Sequence, residues 1–222
     1  MEFKRLHPYR FEIFFVSQMF ILFGSIIATG DWYETVLFPI TFIVNISAGL
    51  ILMSRHRIKF LGFVGLLFLS GLLFVCKLTT SGYDDEITIF RTVINFLFYV
   101  FVTIEIIKQV WDSQRISSNI IFGLISGYVS IGLIGYFFFI SIELTVPGSF
   151  LGNQEAFMLR ENLNDSFMYF SYITLLSIGY GDISPVSPFA QKVTILIGLL
   201  GQMYNVIITA IVVGKYINQL KK

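Results

Sequence analysis

The sequence predicts an all-α membrane protein: six transmembrane helices, with one short re-entrant helix and a glycine-bearing loop between the fifth and the sixth. Three observations lead there. Of 222 residues, 55% are hydrophobic and 13% charged, against about 25% charged in an average soluble domain. Apolar stretches of the length that crosses a bilayer, about 20 residues, recur six times. The basic residues then sort to one side of those spans. A soluble fold of this size leaves much of its surface in water and could not cover 25 phenylalanines; lipid covers part of them instead.

The spans are expected at about 11–28, 35–53, 60–76, 87–107, 119–142 and 188–216. Pro39 falls inside the second and is expected to kink it, because proline removes a ladder donor. Asn45, also in the second, is expected to join helices through its amide. Between the last two spans, 166–176 is apolar but too short to cross, and reads as a buried or re-entrant helix. Asn164, Asp165 or Ser166 would cap its start. Asn164-Asp165-Ser166 also fits a glycosylation sequon, with capping the preferred reading.

With the N-terminus cytoplasmic, the inner side holds Lys4, Arg5, Arg10, Arg55, Arg57, Lys59, Lys108, Arg115, Lys215, Lys221 and Lys222, most of the 15 basic residues. Only Lys77, Arg91, Arg160 and Lys192 fall outside, where Asp31, Glu34, Asp84, Asp85, Glu86, Glu143, Glu155, Glu161, Asp165 and Asp182 collect. Both termini are therefore expected inside. Glu12 and Glu105, near the inner face, are expected to pair with basic neighbours. Cys76 is the one cysteine, and His7 and His56 lie in basic stretches, so no metal cluster or disulfide is expected. No nucleophile–base set points to an enzyme, and the basic residues are explained by topology rather than by nucleic acid.

Residues 175–184 read LLSIGYGDIS. Two glycines flank a tyrosine directly after the short helix. Non-helical backbone at membrane depth is tolerated only where it is buried in protein or lines a watery path. Glycine admits conformations that turn successive carbonyls to one axis, and the C-terminus of a short helix carries partial negative charge.

Ser177-Ile178-Gly179-Tyr180-Gly181-Asp182 resembles the selectivity filter of the tetrameric potassium channels, whose pattern is Thr-Val/Ile-Gly-Tyr-Gly-Asp. The resemblance covers about 117–216. Pro185, Thr174 ahead of the filter, and Gly201, at the position of the family's hinge glycine, agree with it. It implies a re-entrant pore helix and a selectivity-filter loop. K+ would be bound by backbone oxygens of Ser177, Ile178, Gly179 and Tyr180, with Gly181 completing the filter. Asp182, Thr174, Tyr169 and Phe170 would support the filter. Asn205 and Thr209 resemble cavity-facing positions.

The resemblance further implies a homotetramer in contact with membrane lipids, with no small-molecule cofactor. The expected place is the plasma membrane, as a multi-pass protein more like prokaryotic inner-membrane channels than animal ones. Five positions depart from the family pattern. Ser177 stands for the usual threonine and Leu176 precedes it. Tyr169-Phe170 replaces a tryptophan pair, and of these only Tyr169 can donate a hydrogen bond. Ile173 replaces a carboxylate found behind some filters. The cuff around the filter is accordingly expected to be thinner.

The chain divides at about 116. Residues 1–116 hold the place of a voltage sensor, but the fourth span, ITIFRTVINFLFYVFVTIEIIK, has only Arg91 near one end and Lys108 at the other. A steep sensor needs several gating charges, each worth about 2.3 kcal/mol per 100 mV. Arg91 is expected to snorkel or to pair with an outer carboxylate, and Trp111 to anchor at the interface. Residues 117–222 form the pore domain. A weakly selective cation channel is the alternative that Ser177 motivates. A secondary transporter or scaffold is a further one, which requires the Gly-Tyr-Gly turn to be coincidental packing; transporters pair their broken helices, and only one break is present.

Overall fold

The computed structural model describes residues 6–28, 30, 32–54, 57–79, 85–113, 117–152 and 163–220. Positions Lys4, Arg5, Asp31, Arg55, His56, Asp84, Arg115, Glu155, Arg160, Glu161, Lys221 and Lys222, singled out above, lie outside the described residues, as do the side chains of Lys77, Asp85 and Glu86.

A short 3-10 turn, His7–Tyr9, leads into α1 (Arg10–Ile27). A π-helical turn, Tyr33–Leu37, runs into α2 (Phe38–Met53). Then come α3 (Arg57–Thr79), α4 (Asp85–Asp112) and α5 (Ser118–Thr145). The short helix is α6 (Leu163–Leu175) and the last is α7 (Pro188–Leu220). Two three-residue strands, β1 (Phe150–Gly152) and β2 (Ile183–Pro185), complete the order. Six helices are long and apolar enough to span: His7–Ile27, Tyr33–Met53, Arg57–Cys76, Ile87–Asp112, Ser118–Thr145 and Pro188–Ile217. They match the six expected spans.

Pro39 lies in the first turn of α2, where its missing N–H costs little. The irregularity of the second span is the π turn just before it. Asn45 is fully buried and joins three helices. Its Nδ2 donates to Ser17 Oγ at 2.8 Å, and Tyr99 donates to its Oδ1 at 2.7 Å. Bonds of this kind inside bilayers are worth about 0.6 kcal/mol each, at most about 1.7, so the hub sets helix register more than it sets total stability.

The central element is α5. α4 packs along it, α1 lies against it, and α6 and α7 cover its other side. Gln18 of α1 donates to Ser130 Oγ at 2.8 Å and to the Ser126 carbonyl at 3.2 Å. α4 and α5 are joined by only residues 113–117, a connection that makes sequential helices direct neighbours. Of the first four spans, α1 and α4 pack along the α5 of their own chain, α2 reaches it through the Phe42 ring against Tyr136 and Phe137, and α3 packs on α2 and α4.

Glycines let α6 come close. A Cβ at Gly132 would collide with the Tyr172 ring, and one at Gly135 with Ser171 Oγ. Aromatic rings wedge α6 in place from the other side. Phe170 lies 4.8 Å from Phe139 and 5.5 Å from Phe150, and Phe167 lies 5.1 Å from Phe150. Phe150 belongs to β1, which pairs antiparallel with β2 through Phe150↔Pro185, Leu151↔Ser184 and Gly152↔Ile183. The Glu143 carboxylate at the end of α5 accepts from the Gly148 and Phe150 amides at 2.7 and 3.2 Å, holding the turn into β1.

Candidate functional site

Hydrogen bonds give the depth of α6. Near its start, Tyr136 donates to Asn164 Oδ1 at 2.8 Å. Farther along, Ser171 donates to the Gly132 carbonyl at 2.6 Å and Tyr172 to that of Val129 at 2.7 Å. At its end Tyr128 donates to the Leu175 carbonyl at 3.3 Å. α6 thus descends alongside α5 from position 136 to 128 and stops partway down the 28-residue helix. The loop 176–182 climbs back to β2, which is tied to β1 after the far end of α5. This is a re-entrant excursion.

The loop leaves α6 through a Schellman cap. The Ser177 amide donates to the Thr174 carbonyl at 3.0 Å, and the Ile178 amide to that of Ile173 at 2.9 Å. Gly179 N–H shares the Ile173 carbonyl at 3.3 Å. The last carbonyls of α6 are therefore occupied in holding the loop. Ser177 occupies the left-handed cap position with φ 57°, which most side chains avoid and β-branched ones avoid most. Serine fits there with less strain than threonine, a reason for the departure that the motif alone did not give.

Positive φ recurs at Gly179 (58°) and Gly181 (79°), with Ile178 and Tyr180 between them not left-handed. Positive φ thus recurs at every second residue over 177–181. Such alternation lets successive carbonyls turn toward one side. The residues 176–181 are exposed on the single chain, Tyr180 at 72%.

Of the proposed supports, Tyr169 and Asp182 are joined by a hydrogen bond. Hydrogen bonding to the Asp182 carboxylate, more than burial, pushes the Tyr169 phenol up to about 12; Asp182 also accepts from the Ile183 amide at 3.1 Å. Thr174 lies in the last turn of α6. The Phe170 ring packs against Phe139 and Phe150.

α7 passes behind the loop as one unbroken helix. A Cβ on Gly201 would collide with the Leu175 carbonyl oxygen, so close packing by itself demands glycine there. Asn205 and Thr209 are exposed on the chain alone; Asn205 donates to the Tyr128 hydroxyl at 3.3 Å, and Thr209 back-bonds to the Asn205 carbonyl at 2.8 Å. The sequence reading missed Gln202, whose Nε2 donates to Ser177 Oγ at 2.7 Å.

Arg91 does not snorkel. It lines a small cleft with Asn95, Tyr136 and Asn164, and among the described residues its Nη1 is buried without a hydrogen-bond partner. Glu34 faces it electrostatically and accepts from Asn164 Nδ2 at 2.5 Å. Lys59 pairs with buried Glu105 at 2.6 Å, as the inner-face charges led us to expect.

No curated protein and no solved structure matches this chain. Residues 123–218, from the middle of α5 through the re-entrant loop to the end of α7, match the family model described as "Ion channel". This match supports a pore-loop ion-channel family for the segment from α5 through the re-entrant loop to α7.

Proposed function

We propose that the chain is one subunit of a homotetrameric, potassium-selective channel that conducts K+ passively and is not steeply voltage-gated. The observation that carries this reading is positive φ at every second residue, Ser177, Gly179 and Gly181, in a loop exposed on the single chain. One subunit supplies one wall of such a passage, and a closed ring of four completes it. Rings of neutral backbone oxygens from Ser177, Ile178, Gly179 and Tyr180 would replace the hydration shell of K+. Asp182, braced by Tyr169, shapes the outer mouth. Gly201 allows the inner helix to bend, and Asn205 and Thr209 face the cavity. Residues 1–116 form a peripheral bundle and 117–222 the pore domain, with both termini cytoplasmic.

Shallow voltage dependence follows from α4. Arg91 and Lys108 are the basic residues between 87 and 108, too few for a ladder whose charges contribute about 2.3 kcal/mol per 100 mV each.

Purified protein in planar bilayers, under opposed K+ and Na+ gradients, tests this. The expected reversal lies near the K+ equilibrium potential, and Gly179→Ala abolishes the current, because alanine is strained at that positive φ. A reversal near zero in conducting channels replaces the proposal with a weakly selective cation channel.

A further inference from the structure

Gly201 and Gln202 act in sequence. The bare Cα of Gly201 lets α7 lie against the Leu175 carbonyl, at the point where α6 gives way to the loop. The next side chain, Gln202, then reaches Ser177 and donates from Nε2 to Oγ at 2.7 Å. The Schellman cap has already fixed the Ser177 backbone at φ 57°. What remains free at Ser177 is its χ1 rotation, and the Gln202 amide sets it.

The geometry points to Gln202 as a specificity-determining residue at the inner end of the filter, fixing the Ser177 hydroxyl as an ion ligand and adding its own amide oxygen as a second ligand for a dehydrating cation. This assignment rests on the filter reading above. One N–H donated to Oγ occupies one of its two lone pairs and leaves the other for an ion. Among the described residues, Gln202 Oε1 accepts no hydrogen bond, and the residue is exposed on the single chain. In a ring of four subunits the inner end therefore gains hydroxyl and amide oxygens. These are hard, neutral ligands of the kind that suits alkali and alkaline-earth cations. Threonine at 177 would bring a methyl group and strain at positive φ; serine with a glutamine behind it keeps the hydroxyl and orients it from α7.

The test uses Ba2+, a divalent ion close to K+ in size, applied from the inner side to full-length channels in symmetrical K+. Gln202→Met removes the donor and the amide oxygen at similar volume, and is expected to weaken Ba2+ block about tenfold, the scale of one or two lost neutral contacts. Gln202→Glu places carboxylates there and is expected to strengthen it. Ser177→Ala is expected to weaken block on its own and to leave Gln202→Met a smaller further effect, that of its own amide oxygen. Wild-type block in a conducting Gln202→Met channel overturns the assignment, as does full additivity with Ser177→Ala. Should Gln202→Met fail to assemble, Gln202→Asn shortens the reach and gives the same reading. If wild type itself fails to select K+ over Na+, the filter reading falls and the assignment with it. If wild type selects K+ and only Ba2+ block is indifferent to Gln202, the filter reading stands and this assignment alone falls.

Discussion

Lys215 Nζ lies 2.8 Å from the carbonyl oxygen of Val110, and the same ammonium donates to the carbonyls of Trp111 and Ser113 at 2.8 and 2.5 Å. Near the end of α7, one side chain satisfies three carbonyls at the end of α4. The last carbonyls of a helix lack intrahelical partners and carry partial negative charge, which is what an ammonium seeks. α4 packs along α5, so this tie holds the end of α7 against the end of α4; in the proposed ring it would draw α7 away from the axis. It is worth about 1 to 2 kcal/mol. Lys215→Met is expected to lower open probability in steady-state single-channel recordings, about five- to thirtyfold in the open–closed equilibrium. Lys215→Arg keeps charge and donors and is expected to stay near wild type. An unchanged open probability in Lys215→Met would remove the tie from any account of gating.

Gly201 separates two roles that its sequence position cannot. A Cβ there meets a backbone carbonyl, Leu175 O, rather than the yielding tip of a side chain. Gly201→Ala should therefore disrupt the α6–α7 contact, giving an altered assembly in size-exclusion chromatography or a fall in melting temperature. At Gly198 the nearest atom to an added Cβ is 3.9 Å away, so Gly198→Ala should be tolerated and gain helix propensity, about 1 kcal/mol. If Gly201→Ala assembles normally and alters only gating kinetics, bending rather than packing is what the glycine serves.

Tyr169 and Asp182 brace the outer mouth as a pair, with the tyrosine proton held by the carboxylate up to about pH 12. Tyr169→Phe and Asp182→Asn should each hasten the decline of current during sustained opening. Because both remove the same bond, the double variant should decline no faster than the quicker single one. Independent, additive effects in that cycle would show that the two side chains act separately. Between pH 6 and 9 the brace should not titrate from the tyrosine side, so any pH dependence of the decline in that range must come from another group.

The spans and the loop were legible in the sequence for different reasons. The spans follow from length and hydropathy, which the bilayer thickness reads directly, and their ends came within a few residues. The loop was legible because Gly179 and Gly181 mark backbone that side chains cannot follow. Ser177 was legible as a hydroxyl but not as a left-handed cap, since serine gives no signal for positive φ. Gln202 and Lys215 carry no motif; each matters through a partner 25 or about 100 positions away, and Lys215 reads in sequence as one more inner-face lysine. Of the two expectations for Arg91, snorkelling fails and an outer carboxylate partner holds: snorkelling assumes a lipid-facing side chain, whereas α4 turns this one toward Tyr136 and Glu34. The β1–β2 pair was hidden because its strands are three residues each and one contains Pro185.

Asp165, in the first turn of α6, links the re-entrant helix to the first spans and should make that link sensitive to acid. Burial raises its pKa above the ordinary aspartate value, and its hydrogen bond with Ser25 only partly offsets this. Glu34, Tyr33 and Tyr136 belong to the same cluster, and Arg91 supplies its positive charge. A carboxyl whose folded pKa is raised binds protons more readily in the native state than in the unfolded one. Its contribution therefore stabilises the fold as pH falls through the raised folded value, reaches its full extent below the unfolded value, and is absent at neutral pH. Asp165→Asn mimics the protonated form. Relative to wild type, it should melt higher at pH 7, where wild type carries the desolvated charge, and the difference should shrink as the pH is lowered through the acid range. Thermal unfolding of detergent-solubilised protein at stepped pH values reads this directly. A gap between the two proteins that is the same at pH 7 and pH 4 would mean that Asp165 acts through its shape and hydrogen bond rather than its charge.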